Sequence, residues 1–319
     1  MPVRVIRAGY GAPLDATQFP DPHALDAAAG LPAAVSALSG RRLAVLTGAG
    51  VSTDSGIPDY RGPGAKPRTP MTYQQFMGSK RMRRHYWARN QFGWHFVAQA
   101  KPSEAHAALA ELEHRGSLCG IITQNIDRLH QKAGCIDVLD LHGTHQRVIC
   151  TRCRSTIPRA VLSDRLDALN PGFYDDVATR HDIEYAPDAD ATIEHTEHFN
   201  ILDCPVCSGI LKPDVVFFGE NAPAERVRYA KLVVDRAEAL LVAGTSLTVN
   251  SGKRYVRRAV SNGIPVVIVN HGVTGSDHLA TVKVDAFVGG FLRSLTDELL
   301  RGASCLMSRC PDGVRACLR

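Results

Sequence analysis

Residues 41–62, RRLAVLTGAGVSTDSGIPDYRG, decide the fold. Leu43, Ala44, Val45 and Leu46 make an unbroken apolar run of strand length, closed by the turn Thr47-Gly48-Ala49-Gly50. A strand that is apolar on both faces of the pleat is covered on both, as in a parallel sheet wrapped by helices. Glycines directly after such a strand let the backbone approach a pyrophosphate. The match to G-x-G-x-x-G is incomplete, because Thr53 takes the third glycine position and no acidic residue follows about twenty residues on to hold an adenosine ribose. A hydride-transfer dehydrogenase is thereby disfavoured, and a purely structural turn competes with a dinucleotide site.

The same strand-then-turn pattern recurs outward from this stretch. LCGIITQNID (118–127), VLDLHG (138–143), AEALLVAGTSLTV (237–249) and GIPVVIVN (263–270) read as further buried strands. Helical patterns separate them: residues 71–100, the run from 103 that opens with Ser103 at an N-cap position, and SGKRYVRRAVSN (251–262). Strands alternating with helices predict an α/β protein with a doubly wound parallel sheet. Residues 1–37 read as an N-terminal extension and 301–319 as a C-terminal tail. The sheet domain is expected over 38–145 and 212–300, with a loop and helical insertion at 61–104, and residues 146–211 as an inserted unit of their own.

Composition bounds the function. The 319 residues carry a net charge of +5, too mild to argue for nucleic acid. The apolar runs are strand-length and far short of a membrane span. The N-terminal stretch has no apolar secretory core, so a cytoplasmic location is expected. Nine cysteines in such a chain favour metal binding over disulfides. Two tight pairs stand out, Cys150 with Cys153 and Cys204 with Cys207. A two-residue gap lets both thiolates of a pair face one ion, and four thiolates fill the sphere of zinc. Neither pair opens a helix after a strand, as a redox pair would want. The metal reading is therefore structural, and His142 and His145 are not needed as ligands. Cys305, Cys310 and Cys317 are read as free thiols of the tail.

Three further stretches carry polar groups to strand ends. Gln124, Asn125 and Asp127 follow the strand beginning at residue 118, at the sheet edge where open α/β sheets bind ligands. Asp127 serves equally well as the N-cap of the helix that follows. His142 ends the strand of 138–143 at the same edge, with Gly143 leaving space beside its ring. His106, His114, His130 and His145 take ordinary structural roles. The stretch PDVVFFGE (213–220) reads on its own as a core strand.

Taken together, GAGVSTDSGIPDYRG, TQNIDRLHQKAG, LHGTHQRVICTRC, CPVCSGILKPDVVFFGE, GTSLTVNSG and VIVN, in this order, resemble the sirtuins over about residues 40–290. The YWARN segment and the long gap between the cysteine pairs are most similar to the class II branch. The resemblance implies a Rossmann-like NAD domain with an inserted small zinc-binding domain, holding Cys150, Cys153, Cys204 and Cys207 as metal ligands. It implies NAD as a co-substrate and acylated-lysine proteins or peptides as partners. The acyl group passes from lysine to ADP-ribose with release of nicotinamide. It further implies that Gly48, Ala49, Gly50, Thr53, Asp59, Tyr60 and Arg61 contact NAD. So do Gln124, Asn125, Ile126 and Asp127, then Gly244, Thr245 and Ser246, then Asn270, His271 and Gly272, with Val288 near the adenine. Asn125 and Asp127 orient the nicotinamide ribose and carboxamide. On the same resemblance His142 is expected to be the general base for a ribose hydroxyl. Val216, Phe217, Phe218 and Gly219 receive the substrate backbone and line the acyl-lysine channel.

Other readings stay open on sequence grounds. An acceptor side chain in place of acyl-lysine makes the chain a mono-ADP-ribosyltransferase. Tyr86 and Arg89 have the Tyr-x-x-Arg spacing by which desuccinylating sirtuins hold an acidic acyl group, so longer or acidic acyl groups are an alternative to acetyl. A non-catalytic NAD- or zinc-binding module is the reading from another class. A monomer without membrane or nucleic-acid contacts is expected.

Overall fold

The computed structural model describes residues 24–62, 69–179 and 183–308, with side chains to residue 302. Its strands in chain order are β1 (Leu43–Thr47), β2 (Leu118–Thr123), β3 (Val138–Asp140), β4 (Gly143–Cys150), β5 (Thr156–Pro158), β6 (Leu211–Val215), β7 (Ala239–Ala243), β8 (Val266–Val269) and β9 (Val282–Val284). The helices are α1 (Ala27–Leu38), α2 (Tyr73–Gly78), α3 (Lys80–Gln99), α4 (Glu104–His114), α5 (Leu129–Lys132), α6 (Arg159–Leu169), α7 (Phe173–Ala178), α8 (Ala224–Arg236), α9 (Asn250–Ser261) and α10 (Val288–Ser308).

The large sheet has six strands in the order β3-β2-β1-β7-β8-β9, every pair parallel. This is the doubly wound order, with its switch point between β1 and β7. The unbroken apolar run of β1 explains itself here. Leu43 and Val45 face a core shared with α1, α4 and α10, while Ala44 and Leu46 face one shared with α8 and α9. In register, Thr47 lies beside Thr123 on one side and Ala243 on the other, and Ala243 lies beside Val269. All the loops after these strands therefore leave from one edge.

The sixth strand, β9, was not anticipated from the sequence. Lys283 interrupts its apolar pattern, yet it is buried because its ammonium donates to the carbonyls of Asn270 and Val284 at 2.9 and 3.1 Å. The helix α1, within the stretch read as an extension, covers this edge. A Cβ on Gly30 would lie 2.6 Å from a Val284 methyl, so only glycine allows helix and strand to sit this close. The tail cysteines Cys305, Cys310 and Cys317 lie outside the described side chains.

The cysteine module is a second layer with its own antiparallel sheet, β5-β4-β6. It does not rely on metal alone for a core: Val148, Leu162, Leu166, Phe199 and Leu211 pack with Phe76, Tyr86 and Trp87 of α2 and α3. The helical insertion and the module thus form one lobe. Arg159, fully buried at the start of α6, is held between the rings of Trp87 (5.5 Å) and Trp94 (4.8 Å) and donates to Gln91 Oε1 at 2.9 Å.

Three structural histidines are buried in this frame. His106 Nδ1 accepts from the Ser103 backbone N–H at 3.1 Å, reciprocating the N-cap of α4, and its ring lies 4.8 Å from that of His130. His130 Nε2 meets the Thr47 hydroxyl at 2.9 Å, and His145 Nε2 donates to the Asp188 carbonyl at 2.7 Å. Burial pushes His106 and His145 down to about 4 and moves His130 in the same direction. All three are neutral in the folded chain and take up protons more readily unfolded. Their stabilisation is complete above the ordinary histidine value and is lost as pH falls from about 6.5 towards 4. At pH 5, denaturant unfolding is expected to give a stability lower than at pH 7.5 by about 2 kcal/mol for each of His106 and His145. A flat stability profile between those pH values would contradict their burial as neutral rings.

Candidate active site

The loops leaving the carboxyl edge of the large sheet and the inner wall of the second lobe enclose a cleft of about 1580 Å³. It gathers residues 48–50, 59–61, 124–127, 142, 216–219, 244–246 and 270–272, drawn from segments spread over more than two hundred positions of the chain. Two expected contacts are not in it. Thr53 sits in an exposed turn where its hydroxyl donates to the Gly50 carbonyl at 3.0 Å. Val288 is buried in the apolar core at the start of α10, because that helix packs its first turn inward.

The glycines of the first turn serve loop-to-loop contact. A Cβ on Gly50 would lie 2.8 Å from Gly244 Cα, and one on Gly48 would lie 2.6 Å from Thr245 Cβ. Gly244 itself has φ +61, and a Cβ there would meet the Val51 nitrogen at 2.5 Å. Backbone thus lies against backbone, and the Gly50 N–H donates to the Gly244 carbonyl at 2.8 Å. Polar side chains tie the next loops to this floor. Asn125 Nδ2 donates to the Gly48 carbonyl (3.0 Å), and Gln124 Oε1 accepts from the Thr245 hydroxyl (2.7 Å). Asp127 is held by two hydrogen bonds, while Arg128, at φ 66, takes the N-cap position of α5. One carboxylate oxygen accepts the Leu129 N–H at the head of α5, and the other accepts the Ser52 hydroxyl at 2.8 Å. Burial raises its carboxyl and these hydrogen bonds oppose the rise.

His142 stands at the seam between the two lobes. Its Nδ1 lies 3.1 Å from the Gln124 carbonyl, which can only accept, so Nδ1 carries the proton and Nε2 keeps a lone pair. Its own carbonyl accepts from the Val216 N–H at 2.7 Å. Burial, reinforced by Arg226 and Arg254, pushes the imidazole down to about 4, so it is neutral at physiological pH. Tyr255, whose buried hydroxyl has no hydrogen-bond partner among the described residues, lines the same cleft. An orphaned polar atom of this kind fits a site shaped for a polar ligand such as a dinucleotide.

Residues 213–220 divide between the two readings given to them. Pro213 to Val215 belong to the core strand β6, and the chain leaves the sheet at Val216 to line the cleft. Lys212, unremarked in the sequence, holds this exit. Its buried ammonium donates to Val215 O at 2.5 Å and Glu220 Oε2 at 2.9 Å, while Glu220 also accepts the Phe217 N–H at 3.0 Å. The Phe217 ring packs against Phe76 (5.0 Å) and Tyr86 (5.1 Å). The sequence signal for Lys212 was a lone cation inside an apolar run. Ser52, Asp188 and Asp190, also in the cleft, carried no such signal.

The four cysteines converge as their spacing predicted. Their sulfurs all lie within 4.8 Å of one another, with Cys150–Cys207 at 3.5 Å and Cys153–Cys204 at 3.7 Å. Sulfurs bound tetrahedrally at about 2.3 Å from one zinc are separated by nearly these distances, so the cluster fits that ion.

Residues 48–251 match the Sir2 family. The NAD-dependent protein deacetylase 1 of Mycobacterium avium (strain 104) is 53% identical over 268 residues, 84% of this chain and 95% of that protein. A Streptomyces coelicolor protein of the same name is 47% identical over 257 residues, 80% of this chain and 85% of its own. Among solved structures, a Sir2–p53 peptide–NAD+ complex superposes with a TM-score of 0.65 at 32% identity, covering 83% of this chain and 96% of the other. With a family match over well more than half its length and a 53% identical relative that it covers almost completely, this chain belongs to the Sir2 family, the sirtuins.

Proposed function

We propose that the chain is an NAD-dependent protein lysine deacetylase, acting as a cytoplasmic monomer on acylated-lysine proteins. The observation that carries the reading is His142: a neutral imidazole with its Nε2 lone pair available, in the same cleft as the glycine floor and the loop at 216–219. The relatives are named for this activity. Among the described residues no helix is long and apolar enough to cross a membrane.

NAD supplies, when bound, a glycosidic bond whose cleavage releases nicotinamide and drives transfer of the acyl group. The chain's own residues orient and protect that chemistry. The loops at 48–50 and 244–246 form the floor on which phosphates rest, and Asn270, His271 and Gly272 line the far end. Asn125 and Asp127 are held in position by Gly48, Ser52 and Leu129 and orient the nicotinamide ribose. His142 Nε2 takes the proton of a ribose hydroxyl, with the Gln124 carbonyl fixing its tautomer. Val216 and Phe217 guide the acyl-lysine side chain, with Lys212 and Glu220 fixing their backbone. Cys150, Cys153, Cys204 and Cys207 would hold a zinc ion whose role is to support the lobe, since four thiolates would leave it no open position for chemistry.

Incubation with NAD and an acetyl-lysine peptide is expected to release nicotinamide and an acyl-ADP-ribose in equal amounts. Label passing from NAD to protein would favour ribosyl transfer instead, and no consumption of NAD would favour a binding module. His142→Ala should lower kcat by about 10²–10⁴-fold with the circular-dichroism spectrum retained; a wild-type rate would remove His142 from the base role. Cys204→Ser should lose zinc, thermal stability and activity together. Replacement of zinc by cobalt in a chain that stays folded should leave kcat within about twofold, since a four-thiolate site has no open position. A kcat that followed the identity of the metal would overturn the scaffold role.

A further inference from the structure

The wall of the cleft beyond Phe217 contains an ion pair that the mechanism does not use. Tyr86 packs on Phe217 at 5.1 Å, and Arg89, one helical turn further along α3, lines the cleft beside it. Arg89 thus puts a guanidinium on the cleft wall one turn from the ring that packs on Phe217. Every nitrogen of its guanidinium is already engaged. Nη2 donates to Asp190 Oδ2 at 2.6 Å, Nε to the Ala191 carbonyl at 2.7 Å, and Nη1 lies 3.0 Å from His85 Nε2. His85 in turn meets the Thr196 hydroxyl through Nδ1 at 2.8 Å. Arg89 and Asp190 are only 25% and 17% exposed, so their attraction is poorly screened.

We infer that Asp190 determines the acyl-group specificity of this cleft: by occupying Arg89 it withholds that guanidinium from an acyl carboxylate, so neutral acyl groups are accepted and acidic ones are rejected. The inference rests on the deacylase reading of the site and names its substrate class. The balance of charge on this wall supports it. Asp188 lines the cleft beside Asp190, so a second carboxylate faces the same stretch of wall. Burial first, and then both aspartates, raise the Tyr60 and Tyr86 hydroxyls well above their ordinary values. Burial and Arg89 keep His85 neutral, so it adds no compensating positive charge. The apolar part of the lining, with Met71, Met82 and Phe217, suits an uncharged chain.

Asp190 cannot easily swing aside for an acidic substrate. Its carbonyl accepts from the Ala186 N–H at 2.8 Å, and Ala189 before it adopts φ 56. A Cβ on Gly93 of α3 would collide with the Ala189 carbonyl, so loop and helix are in direct backbone contact. The neighbouring Asp188 carbonyl is held by His145.

The test compares acetyl-, hexanoyl- and succinyl-lysine peptides of one sequence, with kcat/KM measured alongside peptide binding by fluorescence anisotropy without NAD. The wild-type chain should favour the acetyl and hexanoyl peptides over the succinyl peptide by about 100-fold, as expected for like charges brought together in a poorly solvated site. Asp190→Asn keeps a hydrogen-bond acceptor for Arg89 but removes the charge. It should raise the succinyl-to-acetyl ratio of kcat/KM by about tenfold, mostly through KM. Adding Arg89→Met to Asp190→Asn should abolish the gain. A wild-type preference for the succinyl peptide, or an unchanged ratio in Asp190→Asn with its thermal midpoint retained, would overturn the inference. Should no peptide be turned over, the deacylase reading fails, and the anisotropy series still decides whether Asp190 discriminates against the acidic group.

Discussion

The backbone contact between Gly50 and Gly244 is the constraint on which the cleft depends. β1 and β7 run side by side in register, so the chain segments leaving them start almost in contact. Only residues without a Cβ let them continue that way: a Cβ on either glycine would meet backbone atoms of the other loop at 3.0 Å or closer. The glycines at this turn therefore act first on the protein and only through it on a ligand. They bring the floor of the site down to the sheet, and the side chains of Asn125, Gln124 and Thr245 bond across it. The Gln124 carbonyl then sets the tautomer of His142. A steric allowance at the switch point is thus passed by three hydrogen bonds to the imidazole of His142, whose Nε2 keeps its lone pair.

The second lobe is fastened by different means. Its shared core with α2 and α3 buries aromatic surface, and Arg159 contributes a cation between two tryptophans with no carboxylate at ion-pair distance among the described residues. Two of the Arg159 nitrogens have no hydrogen-bond partner among the described residues, and burial lowers the guanidinium to about 10. Such a group is costly to place and is tolerated where aromatic faces and amide oxygens surround it. The cysteine cluster secures the distal end of β4 and β6, whose near ends carry His142 and Val216 into the cleft. The cysteine cluster and the cleft are consequently connected by one short antiparallel ladder, so a change at one end reaches the other through position.

The sequence disclosed what is periodic or locally spaced. Buried strands of the large sheet, the N-cap at Ser103 and the two cysteine pairs are patterns within a few residues, and all are present. The stretch at 141–153 divides as its residue types suggested, with His142 in the cleft and Cys150 and Cys153 in the metal cluster. β9 escaped because a lysine satisfied by two carbonyls looks polar in one dimension and behaves as a core residue in three. Val288 was placed by homology of position, but the orientation of a helix start is decided by packing that spacing does not record.

What could not be read are contacts made across a hundred residues by side chains of ordinary appearance. Asp190 lies in a polar, acidic stretch whose composition suggests solvent, and Arg89 lies in a helix whose neighbours are aromatic. Nothing in either segment announces the other. Their pairing requires the loop to turn at Ala189 and approach α3 at Gly93, which is a property of the assembled lobe. A Tyr-x-x-Arg spacing describes only the cation's position, whereas the field at the end of the channel depends on which acid the fold brings against it. On the reading proposed for Asp190, specificity in such a site is carried less by the residues that touch a substrate than by those that have already neutralised them.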